Sequence, residues 1–291
     1  MGRVRKFLSK DRMIRAAAVI STDVVCEMIS RQKAQPFASL AAGRVATGAL
    51  LLAAHLKKNQ KVGIDIAGDG ILGRVFAEAD FEGRVRALVE RPEAGDRHIG
   101  SLGEAIGSGY LTVFRSQPGS IEPQKGTIEL VSGEIGDDIA HYLQQSQQVK
   151  SVVALATVLD SKGNLNRCGG IILEMLPGAT ATACEMLETA AANVSSFADV
   201  VGSGADAEDL CRLYLGDAGF LELPHEHLVR FQCQCSSERM ARSVALLGSV
   251  EVGRIEKSGE VVRGRCEFCG KVFEISPEEI VRVLATMSTK S

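Results

Sequence analysis

The sequence contains no tryptophan, and aromatic residues make up only 4% of its 291 residues. It also lacks a basic excess, since the formal net charge is −3 and the pI is about 6.0. Proteins that bind nucleic acid over a broad surface usually carry a clear positive charge. The composition therefore argues against a general nucleic-acid binder and leaves only a local basic patch as a route to such binding.

Long apolar segments are missing as well. The most apolar helix-like run, residues 45–56, includes His55 and directly follows Arg44. A membrane-spanning helix needs roughly 20 apolar residues, so a buried helix fits this run better. The first residues are charged and lack the apolar region of a secretion signal. We therefore expect a soluble cytoplasmic protein with no membrane partner.

Cysteine is too sparse for a disulfide scaffold, with 8 in the whole chain. Cytoplasmic thiols are normally reduced, so clustered cysteines indicate metal binding or redox chemistry rather than permanent cross-links. The remaining composition is ordinary for a globular protein, with 24% charged and 45% hydrophobic residues. The length is sufficient for a large buried core and for two or three domains.

Periodicity and turn signals predict an α+β fold in three parts. Residues 1–177 are predicted to form an N-terminal mixed α/β domain, in which a long helix is followed by short strands bounded by Gly, Asp and Pro. Pro177 and Gly178 end this pattern. Residues 178–230 are predicted to form a helical linker region, whose helices are too short to be stable alone. Residues 231–291 are predicted to form a small C-terminal zinc-binding domain.

The zinc prediction comes from two cysteine pairs. Cys233 and Cys235 form a CxC pair in "RFQCQC", and Cys266 and Cys269 form a CxxC pair in "GRCEFCGK". Each pair can hold one edge of a tetrahedron around zinc, and the residues between them are numerous enough to let the pairs meet. Gly270 follows the last cysteine and lets the chain turn there. The spacing predicts one Zn²⁺ per chain.

Four thiolates fill the coordination sphere of zinc and leave no position for water. The predicted zinc is therefore structural or a sensor rather than a Lewis-acid catalyst. Oxidation of the thiols would remove the metal, and a domain this small would then unfold. His225 and His227 lie shortly before the first pair and are weaker candidate ligands, which we expect instead in an exposed loop or strand.

Other chemical motifs are weak. Cys26, Cys168, Cys184 and Cys211 are scattered, and we predict small buried apolar residues at these positions. The segment "GDGILG", residues 68–73, matches GxGxxG, but the residues after it alternate like a strand and Asp-Gly is typical of a hairpin. We therefore expect no nucleotide site. The sequence offers no recognisable acid–base or nucleophile set, so we do not expect an enzyme.

Several segments together resemble a known family. The segments "VRFQCQCSSERM" and "GEVVRGRCEFCGKVFEIS" resemble the redox-switch end of the thirty-three-kilodalton heat-shock chaperones of bacteria. "GDGILG", "IAHYLQQSQQV" and "CGGIILEMLPGA" resemble other signatures of the same family, so the resemblance covers nearly the whole chain. One departure is the Gln after "QQS", where many relatives carry Glu.

The resemblance implies a holdase chaperone that uses no ATP and is controlled by oxidation. In the reduced, inactive form, Cys233, Cys235, Cys266 and Cys269 would bind zinc. Under oxidant, disulfides Cys233–Cys235 and Cys266–Cys269 would form, zinc would leave, and the last domain and the linker would unfold. The protein would then bind unfolding client proteins, commonly as a homodimer.

The residues themselves support part of this mechanism. Melting of the linker would expose apolar side chains, and a holdase requires an exposed apolar surface. The side chains that we expect to be uncovered are Met186, Leu187, Phe197, Leu210 and Leu213.

Two alternatives stay open at this point. One is a zinc ribbon that binds nucleic acid, since residues 228–273 hold eight Arg or Lys against five Glu. Four thiolates around Zn²⁺ would cancel most of that charge, and only Phe231, Phe268 and Phe273 are available for base stacking. The other is an enzyme whose active site lies in the first domain and whose zinc end is purely structural.

Overall fold

The structure, a computed structural model, describes residues 2–95, 98–116, 119–120, 122–216, 218–224 and 227–288. The chain divides into two compact units, Met1–Gln232 and Cys233–Ser291. Both contain helices and antiparallel strands, which confirms the predicted α+β class.

The described strands of the first unit are β1 (Arg3–Ser9), β2 (Ile14–Ile20), β3 (Lys61–Gly68), β4 (Arg74–Asp80), β5 (Arg84–Val89), β6 (Gly109–Ser116), β7 (Gln124–Glu129), β8 (Ser151–Leu159), β9 (Leu165–Met175), β10 (Phe220–Glu222), β11 (His227–Leu228) and β12 (Arg230–Phe231). Its helices are α1 (Thr22–Gln32), α2 (Pro36–Ala53), α3 (Leu102–Ile106), α4 (Gly136–Gln147), α5 (Ala181–Ala192), α6 (Phe197–Gly202) and α7 (Ala207–Leu215).

Two six-stranded sheets form the framework of the first unit. The first sheet has the order β10-β1-β2-β9-β8, and β11 also pairs with β1. The second has the order β12-β5-β4-β3-β6-β7. Every pair is antiparallel except β12 with β5. The predicted hairpin at "GDGILG" is present as β3–β4, and β1 and β2 form a second hairpin around Asp11.

Helix α2 contacts strands of both sheets and is the centre of the core. Pro36 occupies its first turn, where the missing N–H costs nothing, and small residues let neighbouring elements approach closely. A Cβ added at Gly43 would overlap the Thr157 hydroxyl of β8, and one at Gly48 would lie 2.6 Å from Ile139 Cδ1 of α4. The helix ends at Ala53, before the end of the apolar run at residue 56, because the residues after it form a turn.

Within the described ranges, α2 is the one helix long and apolar enough to cross a membrane, judged by length and composition alone. In the structure, 78% of this helix is buried. Its apolar character is thus accounted for by packing between the sheets, as the sequence predicted.

Helices α5, α6 and α7 lie within residues 178–230, the predicted linker region, and pack on the first sheet. Leu187, Val201 and Leu210 are buried there against Phe7 of β1 and Leu173 of β9. The N-caps are side-chain oxygens that accept backbone N–H groups, for example Asp206 from Asp209. Two features of this region were not predicted: helix α6, and the strands β10 to β12 that follow α7.

The second unit contains α8 (Ser237–Ala245), α9 (Ser249–Ser258), β13 (Val262–Arg265), β14 (Val272–Ile275) and α10 (Pro277–Ser288). Ala241, Phe273, Ile275 and Ile280 are buried in its small core. Ser276 caps α10 by accepting the Glu279 N–H at 3.3 Å, the contact typical of a serine at a helix N-terminus.

Candidate metal centre

The four clustered cysteines lie at the ends of secondary-structure elements in the second unit. Cys233 and Cys235 precede α8, whose N-cap Ser236 accepts the Arg239 N–H at 3.2 Å. Cys266 and Cys269 lie in the turn between β13 and β14. Strand pairing and helix capping thus fix both cysteine pairs, although the two pairs are more than thirty residues apart in sequence.

The turn that carries the CxxC pair has a defined hydrogen-bond pattern. Cys266 N donates to Lys271 O at 2.9 Å, and Gly270 N donates to Cys266 O at 2.8 Å. Gly270 has a φ of +72°, in the left-handed region where a side chain would be strained. The pattern turns the Cys266 and Cys269 side chains toward the same point.

The four sulfur atoms all lie within 4.8 Å of one another. Cys233 Sγ is 3.6 Å from Cys266 Sγ, and Cys235 Sγ is 3.4 Å from Cys269 Sγ. Thiolates bound to zinc at about 2.3 Å in a tetrahedron are roughly 3.8 Å apart, so the spacing suits such an ion. Within the described ranges, this is the only group of three or more His, Cys, Asp or Glu side chains that close together.

Burial shapes the electrostatics of the cluster. Cys266 is buried and the other three are half-buried. Burial, followed by hydrogen bonding to Cys269, raises the pKa of Cys235. Burial likewise raises the pKa of Cys266. Several thiolates cannot gather in such a place without a cation to compensate their charge, and a divalent ion with a preference for sulfur would do so.

The weaker candidate ligands lie elsewhere or cannot be placed. His227 belongs to β11, where it pairs with Val4 of β1, and its ring centroid is 4.7 Å from that of Phe81. It is therefore a strand residue of the first unit, as expected, although it is half-buried rather than exposed. His225 lies outside the described residues.

The prediction for the scattered cysteines holds for two of the four. Cys168 and Cys211 are buried, and burial raises the pKa of Cys211 to about 12. The prediction is wrong for the other two cysteines. Cys26 is exposed on α1. Cys184 is half-buried on α5, where its Sγ accepts a hydrogen bond from Lys150 Nζ at 3.2 Å.

The expected covering of the linker side chains is also only partly observed. Leu187 and Leu210 are buried, and Met186 and Phe197 are partly buried against the same cluster. Leu213 is 37% exposed, because it lies on the outer side of α7. It therefore needs no conformational change to reach solvent.

The "GDGILG" segment is a structural turn. Asp69 Oδ1 accepts the Ser108 N–H at 2.8 Å, and Gly70 N donates to Ile106 O at 2.8 Å. The strand β4 follows the turn, whereas a dinucleotide motif would open a helix. The predicted hairpin is confirmed.

Comparison with known proteins gives a consistent family assignment. The sequence model of the Hsp33 protein family matches residues 2–276. A 33 kDa chaperonin of Synechococcus sp. (strain JA-3-3Ab) is 35% identical over 285 residues, which cover 94% of this chain and 87% of the relative. The 33 kDa chaperonin of Trichodesmium erythraeum is 35% identical over 286 residues, with 96% and 91% coverage.

A solved structure agrees with the sequence relatives. The crystal structure of the 33 kDa chaperonin (heat shock protein 33 homolog) of Thermotoga maritima superposes with a TM-score of 0.85 and 25% identity. The match covers 99% of each chain.

Proposed function

The chain belongs to the Hsp33 family of chaperones, and we propose that it is a holdase that binds unfolding proteins without ATP and is switched on by oxidation. The observation that carries the proposal is the cluster of four thiols within 4.8 Å of one another. A cluster of this kind can exist in a metal-bound and a disulfide-bonded form. A metal ion joins all four cysteines, whereas each disulfide joins only two.

We assign Cys233, Cys235, Cys266 and Cys269 as ligands of one zinc ion in the reduced state. The spacing of the sulfur atoms and the all-thiolate donor set support zinc over a hard cation such as Mg²⁺. When bound, zinc would supply structural cross-linking and keep the sulfurs as thiolates. The four side chains together would join the segment before α8 to the β13–β14 turn.

In the oxidised state we propose the disulfides Cys233–Cys235 and Cys266–Cys269, as the family resemblance implies. For each bond, two zinc-bound thiolates lose two electrons to one peroxide molecule, which takes up two protons from solvent and is reduced to two waters, and Zn²⁺ is released once its thiolate ligands are oxidised. Distance alone does not select this pairing, since Cys233 lies 3.6 Å from Cys266 and Cys235 lies 3.4 Å from Cys269. The two pairings have opposite consequences. Disulfides within each motif release the two segments from each other, whereas disulfides between the motifs would staple them together.

Loss of the cross-link would leave the second unit with little to hold its fold. It has only a small core, and structural zinc contributes on the order of 10 kcal/mol to such modules. Gln232, at the end of the first unit, is bonded directly to Cys233. We propose that unfolding continues through the linker and removes α5, α6 and α7 from the first sheet. Uncovered apolar residues of β2 and β9, including Ile14 and Leu173, would then bind clients.

The remaining assignments follow from the same proposal. We propose that the protein acts in the cytoplasm, forms a homodimer when oxidised, and uses neither nucleotide nor catalysis. We propose three functional regions: a core domain at residues 1–177, a linker at 178–230 and a redox-switch domain at 231–291.

Aggregation of a chemically denatured model client tests the function. Light scattering should fall when the protein has been treated with peroxide and mild heat, and should be unaffected by the reduced, zinc-loaded protein. Zinc content and far-UV circular dichroism on the same samples should show metal release and partial unfolding. A protein that releases no zinc, or that suppresses aggregation equally in both states, contradicts the proposal. Salt-dependent affinity for DNA or RNA would instead favour the zinc-ribbon alternative.

Peptide mapping tests the disulfide pairing. Trypsin cuts after Arg230, Arg239, Arg265 and Lys271, so each cysteine motif lies on its own peptide, residues 231–239 and 266–271. Disulfides within the motifs leave two separate peptides, each lighter by two hydrogen atoms than its reduced form. Disulfides between the motifs join the two peptides into one mass, which would refute the proposed pairing.

A further inference from the structure

A segment of very short strands lies at one edge of each sheet in the first unit. We call residues 219–232 the edge segment; residues 225 and 226 within it lie outside the described part of the chain. Its strands β10 and β11 pair antiparallel with β1, and β12 pairs parallel with β5. Without this segment, β1 and β5 would be the outermost strands of the two sheets.

Backbone hydrogen bonds attach the edge segment to β1 as an added strand. Leu221 lies opposite Leu8, Leu223 N donates to Lys6 O at 2.8 Å, and Lys10 N donates to Gly219 O at 3.1 Å. In an antiparallel ladder alternate residues face the partner strand, so the Glu222 N–H points away from β1. The contact is therefore made by main-chain groups that any extended chain can supply.

Two side-chain contacts favour particular residue types in a strand that pairs with β1. The ring of Phe220 meets that of Phe7 edge-on, with centroids 5.4 Å apart. Arg5 donates from Nε and Nη2 to the Glu222 carboxylate at 2.6 and 2.7 Å. The edge thus recognises an aromatic residue followed two positions later by an acidic residue.

The edge segment is nevertheless a poor strand. Strand β10 has 3 residues and β11 has 2. Pro224 lies between them and has no N–H to donate. The register also breaks there, since Phe7 lies opposite Glu222 while Val4 lies opposite His227. An uninterrupted extended chain would pair with more of β1 than the edge segment does.

The far end of the edge segment leads straight to the thiol cluster. Arg230 N donates to Gly83 O at 3.0 Å and Gln232 N donates to Val85 O at 3.1 Å, and the next residue is Cys233. Unfolding that begins at Cys233 therefore reaches the pairing with β5 first and the pairing with β1 next.

We propose that the edge of β1 captures clients as an added β-strand, and that the edge segment is an internal stand-in that blocks this edge in the reduced protein. The occupant is an extended segment of an unfolding protein that carries an aromatic or large apolar residue two positions before an acidic one. An unfolding chain offers free backbone N–H and C=O groups, and an open sheet edge pairs with them. This inference rests on the proposed function, because the edge segment leaves β1 only if oxidation unfolds the linker.

A labelled peptide with the sequence of residues 219–232 is the probe, used with the full-length protein in fluorescence anisotropy. It should bind the peroxide-treated protein and not the reduced, zinc-loaded protein, whose edge is occupied. N-methylation at Leu223, which removes the N–H that Lys6 O accepts, should weaken binding about tenfold, the effect of losing one or two backbone hydrogen bonds. N-methylation at Glu222 is the matched control and should leave the affinity unchanged, because its N–H faces away from β1.

The side chains provide a second arm. A Glu222→Gln peptide should bind more weakly than the parent, since the charged contact to Arg5 is lost, and the parent peptide should compete with a denatured client for the oxidised protein. If the oxidised protein suppresses aggregation but binds both N-methylated peptides equally, or binds no peptide, the capture edge is refuted and the proposed function stands. If the oxidised protein does not suppress aggregation, both proposals fall.

Discussion

The two units bury apolar surface in different ways. The first unit encloses a helix between two sheets, and residues such as Leu50, Ile64 and Leu111 are almost fully removed from solvent. The second has a short core, while Leu246, Leu247 and Val250 remain 66–80% exposed. Hydrophobic burial is therefore much larger in the first unit, whereas the second, in the function that we propose, also depends on the metal held by its four thiols. In the function that we propose, oxidation at sulfur then unfolds the second unit, and in the first unit it releases the linker helices and the edge segment while the core around α2 stays folded.

Removing one thiol should have the largest effect on structure and should show most clearly how the two units differ in what stabilises them. Cys266→Ser deletes the buried member of the cluster, so we expect loosely held zinc, loss of structure in the second unit and a blunted response to peroxide. The metal contribution at stake is on the order of 10 kcal/mol. Zinc content measured with a colour-forming chelator, with limited proteolysis in parallel, checks the result.

Cys26→Ser is the matched control, because Cys26 is an exposed thiol on α1 outside the cluster. It should keep full zinc content and an intact second unit. Stoichiometric zinc in the Cys266→Ser protein would contradict the assignment of this residue as a ligand.

Acid should act on the first unit through His55. This side chain is 19% exposed and lies near Glu174, Arg15 and Lys6; burial first, and then the charge of Arg15, lowers its pKa to about 4 from 6.5. The folded protein keeps His55 neutral while the unfolded chain takes up a proton, so stability is full above about pH 6.5 and falls as the pH drops toward 4. The shift corresponds to about 3 kcal/mol.

Urea unfolding of the reduced protein between pH 4 and 7, followed by a signal from the first unit, measures this loss. A His55→Gln variant should lose less stability over the same range, because it has no proton to exchange at that position. Equal pH dependence in the two proteins would show that His55 does not contribute.

A glycine-to-alanine substitution in a helix should change stability in opposite directions in the two units. Gly43→Ala in α2 would place a methyl group against the buried Thr157 hydroxyl, and we expect a loss of about 1–3 kcal/mol from overpacking. The measurement is the urea midpoint of the first unit. A neutral result would mean that α2 and β8 can separate more easily than their close approach indicates.

The smallest expected effect is a gain in the second unit. Gly253 lies inside α9, and a Cβ added there meets nothing within 4 Å. Gly253→Ala should therefore stabilise the helix by about 0.5–1 kcal/mol, because alanine loses less backbone freedom on folding. A higher peroxide concentration should then be needed for half-maximal zinc release, and an unchanged or lower requirement would argue against α9 as part of the structure that zinc maintains.

The sequence predicted local features that depend on chemistry or spacing within a short window. The α+β class, the hairpin at Asp69-Gly70, the buried helix α2 and the cysteine motifs are of this kind. The sequence did not predict features that depend on a contact with a part of the chain that is distant in sequence. The strand at Phe220 has only 3 residues, too few for a clear periodic pattern, and its partner β1 lies more than 200 residues earlier in the sequence. Cys184 was predicted to be buried, but its exposure depends on how α5 is rotated on the first sheet.

Thiol chemistry belongs to the side chain, so the four cysteines that can bind a soft metal are identifiable from the sequence, and the CxC and CxxC spacings show how they are paired along the chain. The 3.6 Å distance between Cys233 Sγ and Cys266 Sγ, and the pairing of β10, β11 and β12 with two sheet edges, come from the folded structure. Both depend on contacts between parts of the chain that are far apart in sequence, and such contacts form only when the whole unit packs.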